Sequence, residues 1–304
     1  MKIESSDIIG QPQAIALLEA AIAKERIAPA YLFSGPEGVG RALTARWFAR
    51  LVLSLPETRS LANHPDFLWV EPTYQHKGQL LTEKAAEAEG LKRKSPPQIR
   101  LEQVRDIAQF LSRPPLQASR SLVVVERSQT MAEGAANALL KTLEEPGRAT
   151  IILIAPSAES LLPTLVSRCQ KIPFYRLSMA QIKQILQQTG NEIICDRPEI
   201  LSMSQGSPGN AIVAWEQLQA IPETLLSQLS SPPTSLRQAL TLAKEIAREL
   251  DSPQQLWLID YLQQIYWQNN RDRDAIDRLE RARKYLRRFV QPRLVWEVTL
   301  ASGQ

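Results

Sequence analysis

Four short apolar runs, divided from one another by helical patterns, limit what residues 1–175 can fold into. They are AYLFS (30–34), DFLWVEP (66–72), SLVVVE (121–126) and TIILIAP (150–156). Between them stand amphipathic stretches: QAIALLEAAIAKE before the first run, GRALTARWFARLVLSL after it, LEQVRDIAQFL before the third and MAEGAANALLKTLEE before the fourth. Strand and helix in alternation give an α/β fold with a parallel sheet and helices on its faces. The Val and Ile runs are continuous rather than alternating, as expected of strands buried on both sides. Thr130, three positions before Glu133, is the expected cap of the helix that follows.

Two parts of the chain depart from this pattern. Residues 73–98 are polar, carry the basic run Lys92–Arg93–Lys94 and end in Pro96–Pro97, so an exposed and partly disordered insertion is expected there. From about residue 176 strand signals stop. SMAQIKQILQQTG, PGNAIVAWEQLQAI, LRQALTLAKEIAREL, PQQLWLIDYLQQIYWQ, DAIDRLERARKYLRRF and PRLVWEVTLAS all read as helix, with a break at SSPPTS (230–235). The mixed charges of 271–288 suit an exposed helix with pairs at i,i+4.

At 304 residues the chain has room for two or three domains. The expected division is 1–175, a small helical domain at 176–220, and a helical domain at 221–304. No apolar run reaches the roughly 20 residues of a membrane helix. MKIESSDIIG lacks the features of a signal peptide. Two scattered cysteines, Cys169 and Cys195, make neither a disulfide framework nor a zinc site, and a cytoplasmic location is expected. A net charge of +4 permits contact with nucleic acid without arguing for it.

SGPEGVGRAL (34–43) has the rhythm of a phosphate-binding loop between a strand and a helix, with Gly35, Gly38 and Gly40 in place. Such a loop ends in Gly-Lys-Ser or Gly-Lys-Thr, the lysine reaching the terminal phosphates and the hydroxyl binding magnesium. Here Arg41 and Ala42 follow Gly40. Arginine keeps the charge but not the compact ammonium, and alanine supplies no hydroxyl. The third strand ends Val125-Glu126-Arg127 where a hydrolase has Asp-Glu. Glu126 could still hold a metal, or be one half of a solvated pair. Arg127 has no acceptor for a proton. Two separate parts of a hydrolytic site are missing.

AYLFSGPEGVG (30–40), HPDFLWVEP (64–72), AANALLKTLEEP (135–146) and LLPTLVSRC (161–169), in this order and spacing, resemble clamp-loader subunits of the AAA+ ATPase superfamily, and among them the delta-prime family of bacterial DNA polymerase III. GSPGNAI (206–212) and YLRRFVQPRLVWEVTLA (285–301) resemble the family's lid and collar more weakly.

The resemblance implies an AAA+ P-loop-type domain, a helical lid and an all-helical collar in a hetero-pentameric ring with gamma/tau and delta subunits. Such a ring binds ATP between subunits and places the sliding clamp on primed DNA. A member of this kind is a stator without hydrolysis of its own, and Arg168 of Ser-Arg-Cys reaches the neighbour's ATP. The open alternative for Arg168 is a local ion pair. The degenerate loop (Gly35, Gly38, Gly40, Arg41) then requires no cofactor, whether or not a nucleotide can sit there idly. Ala155-Pro156 and Gly209 stand where active subunits carry a polar sensor and an arginine. Many relatives have four cysteines ahead of His-Pro-Asp. Residues 51–63 have none, so no metal is expected, and His64 is expected to cap or pack. The rivals are an active gamma/tau-type ATPase and an AAA+-fold protein working outside replication.

Overall fold

The computed structural model describes residues 4–56, 59–91, 96–269 and 273–301. The chain forms two compact units, residues 1–181 and 182–304.

The first unit is built on five parallel strands: β1 (Ala30–Ser34), β2 (Phe67–Val70), β5 (Ser121–Val125), β6 (Ala149–Ala155) and β7 (Gln170–Pro173). Their order across the sheet is β2-β5-β6-β1-β7. All of β5 and β6 is buried, as the unbroken Val and Ile runs require. On one face Leu32, Val123, Ile151 and Leu153 pack with Val104 and Ile107 of α4 (Leu101–Leu111) and Leu139 and Leu143 of α5 (Glu133–Glu144). The alternate residues of β1 face the other way. There Tyr31 meets Phe48 of α2 (Arg41–Val52) at 5.4 Å between ring centroids. α1 (Pro12–Ala23) precedes β1, and α6 (Pro163–Val166) leads into β7.

The insertion is folded where the structure describes it. β3 (Thr73–His76) and β4 (Gln79–Thr82) make a hairpin whose turn, Lys77-Gly78, has both residues at positive φ, the backbone that matches strand twist. The Thr82 hydroxyl caps α3 (Glu83–Ala88), accepting from Ala85 N–H at 3.3 Å. Thr73 and Gln98 close the neck through a pair of backbone bonds. The expectation of disorder is therefore corrected over 73–91. The basic run 92–94 lies outside the described residues.

The cap expected at Thr130 is also corrected. Residues Ser128–Thr130 form a short 3-10 turn, α5 starts at Glu133 after Ala132, and the Thr130 hydroxyl donates back to the Arg127 carbonyl at 2.8 Å.

α7 (Met179–Gln188) runs across the boundary between the units. The second unit is helical: α8 (Pro198–Ser204), α9 (Pro208–Gln219), α10 (Glu223–Leu229), α11 (Leu236–Glu249), α12 (Ser252–Asn269), α13 (Arg273–Arg287) and α14 (Pro292–Ala301). Ser207 caps α9, its hydroxyl accepting from Asn210 N–H at 3.1 Å. One hydrophobic core runs from Ile221 to Leu300 around the fully buried Trp296. The Trp296 indole donates to Gln255 Oε1 at 3.0 Å. Among the described residues of α13 the charges pair at i,i+3 and across to α12. Arg283 bonds to Glu280, three residues back, and to Asp260 across on α12.

Candidate functional site

The Gly-rich loop leaves the C-terminal end of β1, which is flanked by β6 and β7. That is the end of a parallel sheet where ligands are usually held. Gly35 is forced by a close approach: a Cβ there would stand 2.3 Å from the Phe174 carbonyl oxygen. Gly40 caps α2 at φ 103, backbone that only glycine adopts without strain. Gly38, between them, also has positive φ. The buried Gln11 fastens the loop from outside, its amide donating to the carbonyls of Val39 and Tyr175, at 3.2 and 2.8 Å, and accepting from Tyr175 N–H. The loop is thus a fixed turn in the expected strand–loop–helix setting.

Its charge points inward. Arg41 is 7% exposed and its guanidinium donates to the carbonyl of Ala155, at the end of β6. The same carbonyl receives the Gly35 N–H. Burial pulls the Arg41 pKa down, opposed by the nearby carboxylates of Glu37 and Glu126. Ala42 follows with no oxygen to offer.

The end of β5 is equally self-contained. Glu126 Oε2 accepts from the Trp69 indole at 3.0 Å, and Arg46 lies 3.9 Å over the Trp69 ring. Arg127 sits in the left-handed region at φ 47 and pairs with Glu83 of α3 at 2.9 Å. Glu126 and Arg127 therefore do not pair with each other. One is tied to β2 and the other to the insertion.

Arg168 belongs to the opposite end of the sheet. β7 runs beside β1, Gln170 level with Tyr31 and Pro173 level with Ser34. Arg168 precedes β7, whereas the Gly-rich loop follows β1. About 10 Å of strand, at 3.3 Å per residue, lies between the two ends. Arg168 Nη2 bonds to Glu144 Oε1 at 2.7 Å and Nη1 to the Thr164 carbonyl at 2.9 Å, with 37% of its side chain exposed. The sequence-predicted residues thus fall into two groups, Gly35, Gly38, Gly40 and Arg41 together and Arg168 apart. Burial pushes the neighbouring Cys169 thiol up to about 11.

A further anchor sits in His-Pro-Asp. Asp66 is 2% exposed and accepts three backbone N–H bonds, from Leu116, Gln117 and Ala118, at 2.6, 2.8 and 2.8 Å. Burial works to raise its pKa, but those bonds and the nearby His64 outweigh it, and the net shift is downward. His64 is buried, its Nδ1 accepting from the Asp66 N–H at 3.1 Å. It packs and caps, as expected. Sequence reading missed the role of Asp66, and that of Gln11.

A family model described as DNA polymerase III, delta subunit, matches residues 10–178. One described as cyanobacterial DNA polymerase III delta prime, C-terminal domain, matches residues 180–302. The chain belongs to the delta-prime family of DNA polymerase III. Among delta-prime relatives, DNA polymerase III subunit delta' of Pseudomonas aeruginosa is 32% identical over 60% of this chain and 54% of its own. The Bacillus subtilis delta' is 30% identical over 58% of this chain and 51% of its own. The tau subunit of B. subtilis is 28% identical over 58% of this chain and 30% of its own. The chain spans about half the length of these delta-prime relatives. A DNA polymerase III gamma subunit-related protein of Thermotoga maritima shares the fold, with TM-score 0.59 at 18% identity over 95% of this chain and 97% of that one.

Proposed function

We propose that this delta-prime family member is a non-catalytic stator of the DNA polymerase III clamp loader, giving Arg168 to the ATP site of a neighbouring subunit. The observation that carries this reading is the placement of Arg168. It stands at the end of the sheet where strands begin, away from the chain's own Gly-rich loop, so any phosphate it serves belongs to another molecule. A guanidinium fork suits phosphate oxygens and the charge that builds on them during phosphoryl transfer.

The chain's own loop does not fit a magnesium-bound nucleotide. Arg41 is engaged with Ala155, Ala42 has no hydroxyl, the Glu126 carboxylate takes the Trp69 N–H, and Arg127 is paired with Glu83. In this reading the chain needs no cofactor, and ATP is bound by gamma/tau partners in a hetero-pentameric ring that also holds delta. Residues 176–220 act as lid and 221–304 as the collar joining the ring, which loads the sliding clamp onto primed DNA in the cytoplasm. The rival, an active gamma/tau-type ATPase, needs the contacts that Arg41, Ala42 and Arg127 replace.

The test is ATP turnover of a loader reconstituted from gamma/tau, delta and this chain, with clamp and primed DNA. Arg168→Ala is expected to lower it clearly. An arginine supplied in trans is worth on the order of 10³–10⁵ at a single GTPase site, though only one site of the ring is affected here. Unchanged turnover would reduce Arg168 to a structural residue. Hydrolysis by the isolated wild-type chain would favour the rival.

A further inference from the structure

We infer that Glu144 is the positioning residue for Arg168. This rests on the trans-acting reading of Arg168 and adds to it how the side chain is aimed.

Glu144 is the last residue of α5, and an acidic Glu145 follows. The C-terminal end of a helix carries partial negative charge, so a carboxylate there is unfavourable for the helix itself. Cations nearby reverse the sign: Lys141 stands in the same last turn, and the Arg168 guanidinium lies 2.7 Å from the Glu144 carboxylate. The second contact, to the Thr164 carbonyl, comes from α6. Two points on two helices therefore fix both terminal nitrogens of the fork.

The pair orients the arginine without using it up. A guanidinium has five N–H donors, and these two bonds engage one on each terminal nitrogen. Three remain for phosphate oxygens. A free arginine side chain loses much of its rotamer freedom on being fixed. The Glu144 contact offsets part of that cost before the neighbour arrives. Its exposure makes it a weak contributor to stability, which separates aiming from folding in an experiment.

In the reconstituted loader, Glu144→Ala should lower ATP turnover by a measurable part of the Arg168→Ala loss and by no more than that loss, with the melting temperature of the chain unchanged. Glu144→Gln, which keeps an acceptor oxygen at the same reach, should recover part of the loss. In the Arg168→Ala background Glu144→Ala should add nothing. Loss of turnover in Arg168→Ala but not in Glu144→Ala would overturn this inference and leave the reading of Arg168 intact. Additive losses would overturn it too, because Glu144 would then act elsewhere. If Arg168→Ala itself changes nothing, both readings fall.

Discussion

Replacing Asp66 tests whether one buried carboxylate holds the start-of-strand end of the sheet. Asp66 takes three backbone N–H bonds from residues fifty positions away, at 2.6–2.8 Å. A hydrogen bond to a charged group is worth about 1.5–3 kcal/mol net, but the full sum overstates the loss. Leu116 and Gln117 are exposed, so water recovers part of it, and about 3 kcal/mol is expected for Asp66→Ala. For a unit of residues 1–181, about 2–4 °C per kcal/mol gives a fall of about 6–12 °C in its melting transition. Asp66→Asn keeps one acceptor oxygen and should fall between. The pH dependence has a definite sign. The native pKa of Asp66 is lowered, so its contribution is fully present above the unfolded value of about 3.9 and is lost as pH falls through the lower native value. The gap between wild type and Asp66→Asn should therefore hold from pH 7 to about 5 and close below 4. Melting followed by circular dichroism at each pH measures it. A variant within 1 °C of wild type at pH 7, or a gap that widens in acid, would refute the reasoning.

Two other expectations concern the sites themselves. Burial pushes the Cys169 thiol from the ordinary 9.0 up to about 11, so it holds about 100-fold less thiolate at a given pH; iodoacetamide at pH 8 should modify it about two orders of magnitude more slowly in the native chain than in the unfolded one, read by peptide mass spectrometry. Restoring the loop alone, with Arg41→Lys and Ala42→Thr together, should leave the isolated chain without ATP hydrolysis, because Arg127 still occupies the position of the water-orienting residue; turnover in a phosphate-release assay would place that role on another group.

The α/β core was legible because its signal is local. β1, β5 and β6 are runs of Val, Ile, Leu and aromatic residues buried on both faces, and burial of that kind shows in the run itself. The long helices after residue 208 were legible for the same reason. Asp66 was not, because its partners at 116–118 come from a loop that only the folded sheet brings near. The insertion was hidden by four-residue strands and a Lys-Gly turn, weaker than the usual Asn-Gly signal. Thr130 had the spacing of a cap, but the left-handed Arg127 turns the chain so that the Thr130 hydroxyl meets the Arg127 carbonyl first. The arginines were legible as charges and not as contacts. Arg41 and Arg127 are each engaged within their own chain, by a strand-end carbonyl and by the insertion. Arg168 is held too, but at the surface and through two of its five donors. What separates Arg168, the residue proposed to act on a neighbour, from these two is its place before β7 begins, at the end of the sheet opposite to theirs.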